Sequence, residues 1–220
     1  MIFDWIYAAT LLPLLAPALL VTVQATLAGM TIALTIGLLL ALARRAPSRL
    51  LSWPAAAFVE FVRSTPLLVQ LYFLFFILPA LDIELSPFAT GALGLGLHYA
   101  AYCSEVYRAG IESVPRTQWE AATALSLGRG VTWLRIVLPQ AIARVVPALG
   151  NYLVAMFKDT PLLSAITVVE LLQAAKMIGA ETFRYVEPLT LVGMLYLGLS
   201  LASAAGIRAL EARLTKAIGT

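Results

Sequence analysis

The 220-residue chain carries one cysteine and one histidine, and only 12% of its residues are charged. A lone Cys103 excludes an internal disulfide, and Cys103 with His98 falls short of the three or four ligands of a usual zinc site. No metal is expected. None of the lysines, Lys158, Lys176 and Lys216, follows a glycine, so the chain has no G-x-x-x-x-G-K-[ST] phosphate loop of its own. Gly91, Gly94 and Gly96 follow no strand and read as packing positions, not as a nucleotide loop. The missing charge is replaced by apolar residues, 61% of the chain against about 45–50% in soluble domains. Disordered, collagen-like and disulfide-rich secreted classes are thereby excluded, and a polytopic membrane protein is expected. In such a chain the net charge of +3 matters through its distribution, and no nucleic-acid partner is expected.

A spanning helix needs roughly 20 mostly apolar residues. Five stretches qualify, at about 19–43, 58–79, 87–107, 140–157 and 188–207, all within one transmembrane domain of an all-α protein. The second has its uninterrupted core at residues 66–79 and reaches back to Phe58 if Glu60 and Arg63 lie at the interface. Residues 1–17, with Trp5, Tyr7, Pro13 and Pro17, read as an interfacial segment feeding the first span. They do not read as a secretory signal, because the only early charge is Asp4.

Charge placement orients the spans. With the N-terminus outside and the C-terminus inside, the inner side receives Arg44, Arg45, Arg49, Arg63, Arg108, Arg116, Arg129, Arg135, Arg144, Arg208, Arg213 and Lys216. The outer connections keep Asp4, Asp82, Glu84, Glu170, Glu181 and Glu187, opposed by Lys176 and Arg184. That is a strong positive-inside asymmetry.

The longest inner loop, about 109–139, is too structured for a mere connector. Pro115 opens a turn, Trp119-Glu120-Ala121-Ala122 follows, and the chain breaks at Gly128-Arg129-Gly130. Val131, Leu134 and Leu138 then fall near one face before Pro139 resets the direction. Two short helices about a glycine elbow make a compact knob. Small Ala121 and Ala122 permit close approach of another surface, and Glu120 offers a charge to an Arg, a Lys or a helix N-terminus. An amphipathic loop packed on its own bundle would use the same residues.

The loop resembles the signature of ABC importer permeases, an E-A-A followed by a glycine and by I-x-L-P. The matching residues are Glu120-Ala121-Ala122, Ile136, Leu138 and Pro139, but Ser126 stands where the signature has glycine, with Gly128 two residues on. Residues 63–71 (RSTPLLVQL), 101–111 (AYCSEVYRAGI) and 157–164 (FKDTPLLS) resemble the polar amino acid branch of those permeases. The resemblance implies a type I ABC importer permease (MetI-like) fold in a bacterial inner membrane, with no enzymatic activity of its own. It implies three partners: a cytoplasmic ABC ATPase dimer that uses ATP and Mg and grips the knob, a second permease chain, and an extracytoplasmic solute-binding protein. Glu120, Ala121, Ala122, Ser126 and Gly128 would then carry the coupling.

Charged and polar groups inside spans are costly, about 2.5–3.5 kcal/mol for a charge at a helix centre, and mark pathway candidates. Lys158 and Asp159 cannot face each other on a helix, and Thr160-Pro161 disfavours continuing one, so a break is expected there. Both charges should turn toward protein or a water-filled cavity, either as a structural pair or as part of the pathway. Gln70, Tyr102, Glu105 and Asn151 are further candidates, whose alternative role is hydrogen bonding between helices. Glu105 and Arg108, three apart, can also neutralise each other. His98 and Cys103 read as packing residues. Residues 181–190 (ETFRYVEPLT) and 95–99 (LGLHY) resemble ectoine and hydroxyectoine permeases, implying a polar amino acid or a zwitterionic compatible solute as cargo. An ion-coupled secondary carrier would usually show an internal repeat, and none is evident. A membrane enzyme would need clustered nucleophile, base or metal ligands, and none is evident either.

Overall fold

The computed structural model describes residues 3–218, with side chains as far as Arg213. All regular structure among them is helical. The α-helices are α1 (Trp5–Arg44), α2 (Arg49–Arg63), α3 (Leu67–Tyr72), α4 (Pro87–Glu112), α5 (Arg116–Ala124), α6 (Arg129–Thr132), α7 (Leu138–Asp159), α8 (Leu171–Thr182) and α9 (Val186–Ile218). Wider π turns extend α3 through Phe73–Ile77 and join α6 to α7 through Trp133–Val137.

Helix α1 begins at Asp4, whose carboxylate accepts the amide hydrogens of Ile6 and Tyr7 at 3.0 Å, an N-cap that satisfies two orphan donors. It runs through Pro13 and Pro17 without interruption. The segment expected to lie at the interface is therefore, from Trp5 onward, the start of α1, while residues 1 and 2 lie outside the described residues. Forty residues make a rod of about 60 Å, twice the hydrocarbon thickness. Nearly every face of it is apolar. The face turned inward is a stripe of small residues: Ala18, Thr22, Ala25, Gly29, Ala33, Gly37 and Ala41 are all buried, three or four residues apart. Helix α4 lies along that stripe. A Cβ built on Gly37 would sit 2.7 Å from Cβ of Cys103 and 2.9 Å from the carbonyl oxygen of Ala100. Gly96 returns the fit, with Ile32 filling the space a Cβ would need. Small residues facing one another are what lets helices meet closely in lipid, where burial alone gives no drive.

Helix α4 touches α1, α2, α3 and α7 and forms the centre of the bundle. One core, with Leu71, Leu95, Tyr99, Val145 and Met156, joins α1, α3, α4 and α7. A second, with Leu11, Leu15, Leu171, Ala175 and Leu191, seats α8 between α1 and α9.

Three stretches among the described residues are long and apolar enough to cross a bilayer: 5–44, 129–166 and 186–213. A fourth is the pair 49–63 and 67–81, bent by 109°. The stretch 58–79, expected as one span, is made of two helices meeting at Ser64–Pro66. Pro66 lacks an amide hydrogen and pushes Thr65 out of the helical region, so α2 stops there. The span expected at 87–107 is a helix, Pro87–Glu112, but is not in the apolar set; surrounded by protein, it can carry polar side chains that lipid would reject. Helix α8 was not anticipated. Glu170, expected as a charge of an outer connection, is fully buried: its carboxylate caps α8 by accepting the amide hydrogens of Leu172 and Gln173 at 2.8 Å.

Candidate functional site

The 109–139 segment folds into two short helices, α5 and α6, joined to α7 by the π turn, and forms a knob. Pro115 precedes α5, and Trp119 packs edge to face on Trp133 with ring centroids 5.3 Å apart. Ile111, Val114, Val137 and Ala141 form the small core beneath. The guanidinium of Arg144 donates to the carbonyl of Ser113, tying the base of the knob to α7. Glu120 and Ala121 are exposed, whereas Ala122 is 2% exposed. Ala122, read from its place in the E-A-A run as lining a contact, is thus buried within the chain. Val131 and Leu134 are exposed together with Leu125, so the knob presents an apolar rim.

The elbow lies at Ser126, not at the glycine pair. Ser126 has φ 54°, and around it the amide of Leu127 reaches the carbonyl of Ala122 at 3.0 Å while that of Ser126 reaches Thr123 at 2.9 Å. This is a Schellman C-cap, whose left-handed position favours glycine. Gly128, at φ −62°, is an ordinary residue preceding α6. A serine in the left-handed region costs about 1–2 kcal/mol, partly offset by glycine's larger chain entropy. Ser126→Gly is expected to stabilise the elbow by about 1 kcal/mol, seen as roughly fivefold slower hydrogen exchange at residues 126–127. Unchanged or faster exchange would contradict this account of the elbow.

Behind the knob lies an ion network. The Glu105 carboxylate meets Arg44 at 2.7 Å, Arg108 at 2.8 Å and Arg63 at 3.5 Å, and Glu112 joins through Arg108 at 2.6 Å and Arg45 at 3.9 Å. Helices α1, α2 and α4 are thereby clamped at one end. The Glu105–Arg108 pair read from spacing is present, but it is one edge of a larger cluster. An opposite cluster of Asp4, Arg184 and Glu187 sits at the other end of α1.

Between the two ends the polar candidates converge. Gln70 fastens the α2–α3 bend: its Nε2 donates to the carbonyl of Val62 at 2.8 Å and to Thr65 Oγ1 at 2.7 Å. Its Oε1 can only accept, so the 3.1 Å contact with His98 puts the ring proton on Nδ1. His98, Tyr99, Tyr102 and Tyr152 form a continuous aromatic cluster, with neighbouring centroids 5.2–6.2 Å apart. Arg63 lies over Tyr102, and Tyr99 donates to Asp159 at 2.7 Å. The expected break is present, since α-helical structure ends at Asp159 and a 3₁₀ turn, Thr160–Ile166, follows.

Lys158 and Asp159 do not share a site. Lys158 is exposed, while Asp159 is half-buried and held by α4. Asn151 is also separate, in a groove between α7 and α9 with Pro147, Ala204 and Arg208. Sequence reasoning missed Tyr99 and Tyr152 and took His98 for mere packing. The legible signal was the spacing of Tyr99 and Tyr102, three apart and so on one helix face.

Residues 33–216 match the family described as binding-protein-dependent transport system inner membrane component. A probable amino-acid ABC transporter permease protein of Sinorhizobium fredii is 47% identical over 96% of this chain and 91% of its own length. The glutamine transport system permease protein of Escherichia coli K12 is 33% identical over 96% and 98%. Among solved structures, the crystal structure of an amino acid ABC transporter with histidines superposes with a TM-score of 0.91, at 30% identity over 97% of this chain and 100% of that one. The MetNI methionine ABC transporter in an inward-facing conformation shares the fold, with a TM-score of 0.73 at 19% identity over 94% and 98%.

Proposed function

The chain belongs to the binding-protein-dependent transport system inner membrane components, and from that membership we propose that it is the permease subunit of an ABC importer for amino acids. The observation that carries this reading is the knob: a folded, outward-facing element with Glu120 and an apolar rim, on a chain with no phosphate loop. A chain that moves solute uphill without such a loop must borrow free energy from a partner. Its partners are a cytoplasmic ABC ATPase dimer, a second permease chain, related or identical, and an extracytoplasmic solute-binding protein. The N-terminus is outside and the C-terminus inside, which sets the arginine network around Glu105 at the cytoplasmic end. ATP closes the ATPase dimer, the docked knobs move together, and the bundle alternates its access about a site near the midplane.

The cargo wall in this reading is the cluster of Gln70, Tyr102, Asp159 and their aromatic neighbours. Aromatic faces and a carboxylate suit an ammonium group, and Arg63 suits a carboxylate. Glu105 acts through Arg63, and Lys158 and Asn151 stand outside the cluster. A narrower cargo, ectoine or hydroxyectoine, rests on the resemblance of residues 181–190 and 95–99. In the first block Arg184 is engaged by Asp4 and Glu187; only the second, with His98 and Tyr99, borders the cluster.

Uptake of labelled L-glutamine, L-arginine, L-cystine and ectoine in cells with and without the gene tests the reading. Uptake that depends on the chain, dies with vanadate, survives an uncoupler and accompanies co-purification of an ATPase is expected. The opposite inhibitor pattern would identify an ion-coupled carrier.

A further inference from the structure

A second polar chain, remote from the knob, ends on the cargo wall. Glu170 is fully buried, and besides the two amides of its cap it accepts the hydroxyl of Tyr196, from α9, at 2.7 Å. Tyr196 Oη lies 3.1 Å from Thr160 Oγ1, and Thr160 is fully buried as well. Thr160 gives its one hydroxyl proton to the carbonyl of Phe157 at 2.7 Å, so toward Tyr196 its oxygen accepts, and the Tyr196 proton is shared between the Glu170 carboxylate and Thr160. The hydroxyl run thus joins Glu170 to Thr160 through Tyr196. It terminates next to Asp159 in the chain, at the point where α-helical bonding stops and Pro161 offers no amide hydrogen. On the opposite side the same segment is held by α4, through the Tyr99 hydroxyl on Asp159 and through Leu163, which fills the space a Cβ on Gly91 would occupy. One hydrogen bond at the carboxylate leaves the Asp159 side chain free to swing with its backbone; a tether at the next residue removes that freedom.

We propose that Glu170 and Tyr196 are positioning residues that hold Thr160, and through it the Asp159 carboxylate, at the wall of the cargo pathway without touching cargo themselves. The proposal rests on the pathway reading of Asp159 given above. Tyr196→Phe keeps the ring that packs in the second core and deletes only the hydroxyl, so the bundle should assemble.

Two readouts separate the possibilities. In the purified chain, hydrogen exchange of residues 157–166 should quicken about fivefold in Tyr196→Phe, the scale of one neutral hydrogen bond, with other helices unchanged. Unchanged exchange overturns the tether. In proteoliposomes of the complete transporter, uptake is then compared for the wild type, Tyr196→Phe, Asp159→Asn and the double variant, using those of L-glutamine, L-arginine, L-cystine and ectoine that the wild type takes up. Tyr196→Phe should lower uptake about tenfold in the wild type and less than about twofold in the Asp159→Asn background, because its effect passes through Asp159. Equal losses in both backgrounds would mark Tyr196 as merely structural and overturn the proposal. Wild-type uptake by Asp159→Asn would remove Asp159 from the pathway and the positioning role with it, although the exchange result would still stand. Uptake of none of the four by the wild type would strike the cargo reading itself.

Discussion

Glu120→Lys is expected to abolish solute-dependent ATP hydrolysis and uptake while leaving the chain folded in the membrane. The side chain is exposed, so nothing in the bundle depends on it. The same knob exposes Leu125 and Leu134, and a charge together with apolar side chains is the composition of a docking surface with an electrostatic anchor. Removing one partner of an interfacial charge pair costs about 2–5 kcal/mol, and reversing its sign adds repulsion. At 1.4 kcal/mol per decade the ATPase should bind at least about a hundredfold more weakly. Capture of the ATPase on tagged wild-type and variant chains, with uptake measured alongside, checks this. Wild-type capture by Glu120→Lys would move the docking role away from α5. The neighbouring alanines divide the effect: Ala121→Trp should block docking on an intact knob, whereas Ala122→Trp should unfold the knob from within, because Ala122 is buried.

Gly37→Val is expected to cost about 3 kcal/mol, the upper end of ordinary overpacking. A Cβ there meets the Cβ of Cys103 and the Ala100 carbonyl, and neither can swing away by changing rotamer. Helices α1 and α4 must separate, and the central helix of the bundle loses its closest neighbour. Gly198→Val is the control: a Cβ on Gly198 meets nothing within 4 Å, so its cost should stay within about 0.5 kcal/mol. Unfolding of both variants in mixed micelles, against the wild type, measures the difference. Equal stability of the two would mean that the small-residue stripe of α1 does not determine the α1–α4 approach.

Much of this was legible from residues alone, for local physical reasons. Apolar runs mark helices because an unpaired backbone group in lipid is too costly to leave. The knob was visible because Pro115, the E-A-A run and the elbow act within a few residues of one another. The end of α7 at Asp159 followed from Thr160-Pro161 by the same local sterics. The elbow itself was misplaced: the glycine pair suggested it, but Ser126, not Gly128, takes the left-handed conformation.

What tertiary structure decided is how each helix is turned about its own axis. In a soluble protein an apolar stripe points to the core, but in lipid both surroundings are apolar and hydropathy loses that information. Periodicity therefore could not say that Ala122 turns inward, that Asn151 faces α9 rather than the aromatic cluster, or that Asp159 finds Tyr99 while Lys158 stays exposed. Nor could it pair Glu170 with Tyr196, 26 residues away, or bring Arg44 and Arg63 to the Glu105–Arg108 pair. Composition and local chemistry determined a membrane bundle with a folded segment between α4 and α7. The polar contacts that shape its interior depend on side chains from three or four helices meeting at one depth, and only packing brings them there.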